Sequence, residues 1–495
     1  MIKILPQSTL CLTLWRGLLV FVLMLFFGVC KGQTNIWNGS VSSNWNTASN
    51  WSLNLVPTAA HDVVFETNAS ILVNVTTTIN SLIIRNNAEV IFTSSGGART
   101  ITIDNTSSRI DSGSTLILQG STGSGTRSMG ILFSGSNRTM DISGILDLTS
   151  IGEGTSYNAT NSVTIVSGTL RRTGGGGTVG TITSTTSNLI FEQGGNYSHE
   201  VNGSVVPTAS WNINSTVSIS GTTSTDPTGL NQSFGNFIWN ATGLGSNSVN
   251  FNPTGIAGDL EINNGSATGQ IIQTVASLSI GGDLIVGGGV FAITSGNNAT
   301  RVISVSGNVT ISGGALIVKQ SNNGAGTLNI NGNLSHTGGT ITRSGSGGAS
   351  INFSGSGSPQ LFTSGGTVTN SIDWTVNSGA FLQMAASGTT VTGDGTFTLS
   401  SGATLGITSP DGITTAGATG NIQVTGTRNF STGANYVYNG SSNQSVGNGL
   451  PATVNSLIIA NSGSVGDNLV ILDSDKLVSS DLGVELGVLD LVTFT

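Results

Sequence analysis

The most constraining feature of this chain is that it repeats itself. Residues 279–293 read SIGGDLIVGGGVFAI, and 25 residues later 304–318 read SVSGNVTISGGALIV. The recurrence extends in both directions. GDL begins at Gly258 and Gly282, GNV at Gly307, GNL at Gly332, and Gly357 follows, at intervals of 24, 25, 25 and 25 residues. A second family of turns, a Gly followed by small and aliphatic residues, recurs in GSTLIL (113–118), GGALIV (313–318), GAFLQM (379–384) and GATLGI (402–407). A period of this size marks a solenoid, a propeller or an array, because a single unit cannot bury its own apolar face.

Within each unit aliphatics alternate with Ser, Thr or Asn, as in Leu284/Val286, Val309/Ile311 and Leu328/Ile330. That is the period of a strand, and no run shows helical spacing over three turns. Roughly 25 residues hold three short strands and three turns, whereas a propeller blade needs about 40–50. The expected fold is therefore all-β, a right-handed parallel β-helix of ~25-residue coils. Roughly 450 residues give about 18 coils and, at ~4.8 Å each, a rod near ~90 Å long. Gly258, Gly282, Gly307 and Gly332 should stack at one corner. Leu260, Leu284, Val309 and Leu334 share a phase and should form one inward column.

The composition follows from that architecture. Charged residues are only 8% of the chain, and Gly numbers 72. Equivalent residues of successive coils stack closely, so like charges would repel where Gly, Ser, Thr and Asn do not. Gly and Asn also tolerate the positive φ angles of tight corners.

Residues 1–32 are a different material. Lys3 and Arg16 precede the apolar run GLLVFVLMLFFGVC (17–30), and Cys30 and Gly32 stand at −3 and −1 of a cut before Gln33. This reads as a secretory signal peptide, because an apolar run of about 14 residues is short for a membrane span. No later segment is apolar enough to span. Both cysteines, Cys11 and Cys30, would leave with the leader, so neither a disulfide framework nor a thiolate metal site is expected. Loss of Lys3, Arg16 and Lys31 leaves 12 basic and 23 acidic side chains, a net charge of −11. That balance excludes a basic nucleic-acid face and a polybasic lipid-binding segment.

Residues 33–66 are rich in tryptophan, with Trp37, Trp45 and Trp51 close together. Large aromatics suit a cap over the open core of a first coil; a sugar-stacking platform is the alternative. The pattern Trp37-x-Gly39, Asn44-Trp45, Asn50-Trp51, Pro57, Asp62 resembles the module that begins β-helical surface proteins of Bacteroidota. Two internal stretches resemble the same group: YNGSSNQSVGNGLPATVNSLIIANSG (438–463), with Gln444, Leu450-Pro451 and Leu457/Ile459, and YSHEVNGSVVPTASW (197–211) with GLNQSFGNFIWN (229–240). The resemblance implies an adhesin-like protein displayed on the cell outer surface or secreted, exported by the type IX route. That route reads a C-terminal sorting domain, and the sequence instead stops at GVLDLVTFT (487–495), which reads as a fragment. The domain expectation is a leader over 1–32, a Trp-rich cap over 33–66 and β-helix repeats over 67–495.

Candidates for chemistry are few. Asp473 and Asp475, at i and i+2, would share a face if they lay in a strand, but a solvated turn fits them better beside Lys476. Asp104 and Asp111 flank Arg109. The three histidines, His61, His199 and His336, are far apart in sequence. His336 falls in register with Val286 and Ile311, so either its strand stops at Leu334 or a neutral imidazole is buried. RRTGGGGTVG (171–180) lacks the following helix that a nucleotide loop requires and reads as a glycine-rich corner. We therefore expect no catalytic, cofactor-binding or metal site. Partners would be extracellular glycans or a host or neighbouring cell surface, together with export machinery, met through exposed strand faces. The alternative is a carbohydrate-active β-helix that binds or cleaves polysaccharide. An ice-binding solenoid would want regular Thr-x-Thr rows, which do not recur at the coil period.

Overall fold

The computed structural model describes residues 32–491 except 106, 121–127, 151–153, 175–179, 266–267, 295–298 and 321. The leader, with both cysteines, and most of the glycine run 174–177 lie outside the described residues. The chain is a β-solenoid of about 17 turns with coils near 25 residues, and all its sheets are parallel. The only helical pieces among the described residues are two three-residue 3-10 turns, Ala48–Asn50 and Thr242–Leu244.

Each coil crosses three faces in a fixed order. The second face is one ladder of 18 strands, from Ala69–Val73 to Leu477–Leu486. The first face comes in two runs, eight strands ending at Ser210–Trp211 and nine from Ser233–Phe234 to Arg428–Phe430. The third face is broken twice, into sheets of five, six and three strands. Its first gap falls between Thr181–Thr183 and Val249–Phe251, and its second between Thr367–Thr369 and Gln444–Ser445.

Period-two alternation places the core. In the strand Gly348–Phe353, residues Ala349, Ile351 and Phe353 are buried while their neighbours are not. Leu260, Leu284, Val309 and Leu334 pair in register, and all four are fully buried. The inward column read from sequence is therefore present, and it is continued by Phe237 before it and Phe362 after it.

The glycine column exists as a chain of backbone bonds. The N–H of Gly258 donates to Gly235 O, Gly282 to Gly258 O, Gly307 to Gly282 O and Gly332 to Gly307 O, at 2.8–3.0 Å. A Cβ on Gly332 would lie 2.3 Å from Gly307 O, so the column requires glycine. The next residue shifts the expectation. Gly357 does not join the column; it sits in open space at φ +90°. Instead the Gln360 side chain closes it. Its Nε2 donates to Gly332 O (2.7 Å) and Ile330 O (2.9 Å), while its Oε1 accepts the Gly355 N–H (2.8 Å). Gln444 repeats the device: Nε2 donates to Ile407 O and Ser409 O, both at 3.0 Å, and Oε1 accepts from Gly440 N at 2.9 Å. An amide side chain thus replaces a backbone partner where the chain leaves its regular path.

The residue after each column glycine has its own role. Asn236, Asp259, Asp283, Asn308 and Asn333 each turn a side-chain oxygen onto a backbone N–H of the next coil, at 2.6–3.0 Å. The recurring Asp or Asn of GDL and GNV is therefore a hydrogen-bond ladder.

At the N-terminal end, Trp37, Trp45 and Trp51 pack edge-to-face or tilted on one another and on Phe65, and Trp45 also meets Phe92. All three indoles are buried. Asn50 pins the loop around them, accepting from the N–H groups of Val41 and Ser42 and donating to Asn44 O and Ser42 Oγ. At the other end, Leu482 and Val484 occupy inward positions over Leu457 and Ile459 yet are more than half exposed, because no strand among the described residues stacks on them.

Candidate binding faces and the buried polar coil

The first face carries a regular, outward-facing polar surface. Ser279, Ser304, Asn329, Asn352, Thr375, Thr398 and Asn429 pair in register as one outward column over seven coils. Two residues earlier on the same strands run Ser277, Val302, Thr327, Ser350 and Asp373. Thr396 continues this second column, its N–H and Oγ1 both donating to Asp373 Oδ1. The columns lie roughly 6.6 Å apart and their members about 4.8 Å apart, as strand pleat and coil spacing require. Several members bond along the column. Asn352 donates to Asn329 Oδ1 at 2.9 Å, Asn329 lies 3.4 Å from Ser304 Oγ, and Thr327 and Ser350 share a 3.1 Å bond. The array offers donors and acceptors at fixed intervals with one carboxylate, Asp373.

The structure scatters the candidate catalytic groups. Asp104 pairs with Arg138 at 3.1 Å, whereas Arg109 pairs with Asp111 at 2.8 Å, so Asp104 and Asp111 belong to separate ion pairs. The Ser134 hydroxyl holds the Asp104 carboxyl below its usual range; desolvation opposes it, and Arg138 adds a smaller lowering. Asp473 and Asp475 lie in a turn, not on a strand face; Asp473 meets Lys476 Nζ at 2.9 Å. Among the described residues no group of three His, Cys, Asp or Glu is arranged to hold a metal. None of their helices is long and apolar enough to cross a membrane. The Trp37, Trp45 and Trp51 rings are too enclosed to stack on a sugar.

The histidines are buried in three different settings. His61 Nδ1 accepts from Thr58 N at 2.9 Å. His336 does sit in register with Ile311, in a strand that runs on to it. Burial pushes its pKa down; Gly339 supplies a backbone partner, and Nε2 has none. A Cβ on Gly366 would fall 2.1 Å from that Nε2, so only glycine lets the next coil pass the ring.

His199 belongs to a larger polar cluster. Arg171 points outward to Asp147 at 2.8 Å, and the next residue, Arg172, points inward and is almost wholly buried. Its Nη1 donates to Val205 O at 2.7 Å. His199 Nε2 lies 2.7 Å from Gly203 O and its Nδ1 3.0 Å from the Tyr197 hydroxyl. A carbonyl can only accept, so the proton sits on Nε2 and Nδ1 accepts from Tyr197. Burial pushes the Tyr197 hydroxyl up to about 12 against the pull of Arg172. Burial, with Arg172 adding to it, brings His199 down to about 4. The turn that presents the Gly203 and Val205 carbonyls is strained. Of the six non-glycine residues with positive φ among the described residues, five are Asn and the sixth is Ser204, at +69°. A serine in that region costs energy that an asparagine largely avoids. The inward direction of Arg172 is legible in the sequence, since Leu170 and Arg172 share a strand phase.

No family model, curated protein or solved structure matches the chain.

Proposed function

We propose that this chain is an exported, surface-displayed or secreted rod with an adhesin-like role, binding hydroxyl-rich extracellular glycans or a neighbouring cell surface through its first face, without turnover. The observation that carries the reading is the two-column array running from Ser277 and Ser279 to Asn429. A nearly uncharged lattice, mostly of amides and hydroxyls, can hydrogen-bond a repeating partner at many points, each weak and together strong. The likeness of the tryptophan module and of 438–463 to Bacteroidota surface proteins supports the same role and the type IX route of export. A catalytic reading finds less support. Asp104, Asp111 and Asp473 are each occupied by a cation, and general acid–base work needs carboxylates converging on one substrate.

The test uses purified 33–495 on immobilised glycans and on whole cells. Replacing Asn329 and Asn352 together by Lys should abolish retention, while the same change at Thr310 and Ser335, on the second face, should not. Equal retention of both variants would remove the first face from the proposal. In parallel, incubation with pectin, alginate, xylan and chitin should release neither reducing ends nor unsaturated products. Turnover that disappears on changing Asp473 or Asp475 would replace this reading with a polysaccharide lyase or hydrolase.

A further inference from the structure

Where the third face is first interrupted, a cavity of about 330 Å³ opens over Arg172. Its polar wall is Arg172 together with Thr181, Thr183, Ser184, Ser204 and Thr208; Val205 and Pro207 form an apolar lip. Three observations single it out. Arg172 is only 2% exposed, its Nε has no partner, and among the described residues it has no carboxylate within ion-pair distance. A guanidinium buried without an anion is unfavourable, and Arg is the residue suited to clasping a planar carboxylate. Ser204, the one serine with positive φ among the described residues, stands in the same wall. Strain of this kind persists where the surroundings over-determine it, and it clusters at ligand-binding places.

The lining also restricts the ligand. One cation calls for a single negative charge rather than the double charge of a phosphate. The surrounding hydroxyls suit a polyol, and the apolar lip suits the C–H face of a ring. We propose that this cavity is a subsite for one hexuronate unit of an acidic glycan, its carboxylate held by Arg172. The site is separate from the polar columns of the first face and rests on the surface-binding reading only for the source of its ligand.

The test is calorimetric titration of 33–495 with trigalacturonate, with the neutral galactose trimer and with acetate. Trigalacturonate should bind; the neutral trimer should bind at least about tenfold more weakly, as should acetate, which lacks the ring contacts. Arg172→Gln should lose at least about tenfold in affinity for trigalacturonate. Because Arg172 also holds Val205 O, that variant could lose its fold. Thr183→Trp, at an exposed rim position, fills the cavity while keeping the guanidinium and should lose binding equally. Equal binding of the neutral trimer, or full affinity in Thr183→Trp, overturns the proposal. Acetate binding as tightly as the trimer would make this a simple anion site and overturn the glycan assignment. Asn329→Lys with Asn352→Lys should leave uronate affinity unchanged. Its loss there would place the ligand on the first face instead.

Discussion

Coils 258–336 and coils 170–211 share one backbone path but use opposite chemistry inside it. In the first region every inward position of the second face is aliphatic until His336, and a glycine column and an Asp/Asn ladder tie each coil to the next. In the second, Arg172, Tyr197 and His199 fill the equivalent positions, and the third ladder gives out. The difference shows that strand pairing does not require an apolar filling. Inward groups are met either by apolar contact or by polar partners, with Arg172 Nε and His336 Nε2 left as exceptions.

The largest expected effect breaks the regular region. Leu284→Asp places a carboxylate in the middle of the aliphatic column and should cost at least about 4 kcal/mol. Coils depend on their neighbours, so hydrogen exchange should accelerate first across 258–311 and leave 60–110 protected. Uniform protection would mean that the column is not the core.

Gln444→Leu keeps the volume and removes the amide that serves Gly440 N, Ile407 O and Ser409 O. The buried groups left unpaired should cost about 3 kcal/mol. Gln360→Leu should behave alike, and a change under about 1 kcal/mol in either would show that water replaces the amide there.

Acidification should separate the two regions. His199 has a folded pKa near 4 against an ordinary value of 6.5. Between these values the unfolded chain binds a proton that the folded chain refuses, so stability falls as pH drops through that window. The loss integrates to about 3 kcal/mol. Exchange protection should therefore fall around 197–219 on going from about pH 7 to about pH 4.5, while 258–311, which contains no histidine, should change little. His336 is shifted in the same direction, so its own coil should respond too. A flat profile at 197–219 would show that His199 is not held neutral.

Asn308→Ala removes one rung of the side-chain ladder, the acceptor for Asn333 N. The rung is near solvent, and about 1 kcal/mol is expected by thermal melting. The smallest effect on stability belongs to the outward columns. Asn329→Ala with Asn352→Ala should change stability by no more than about 0.5 kcal/mol, whatever it does to adhesion. A larger loss would make the columns a structural zipper more than a binding face.

The repeat period and its strand phase were enough to determine the all-β solenoid, the column from Leu260 to Leu334 and the glycine corner. Those features depend on residues one coil apart that do the same thing, and such periodicity is written in the chain. The register of His336 with Ile311 left two readings, a strand ending at Leu334 or a buried ring, and the structure decides for the buried ring. The breaks in the third face, the closure by Gln360 and Gln444, and the circuit of Arg172, Tyr197, His199 and the Gly203–Val205 turn were decided only in three dimensions. The closures and the circuit each depend on a side chain that meets a carbonyl in another coil or across a turn, a partner that strand phase does not specify. Hydrogen-bond satisfaction in a closed space depends on distance and direction, and neither is encoded by spacing along the sequence.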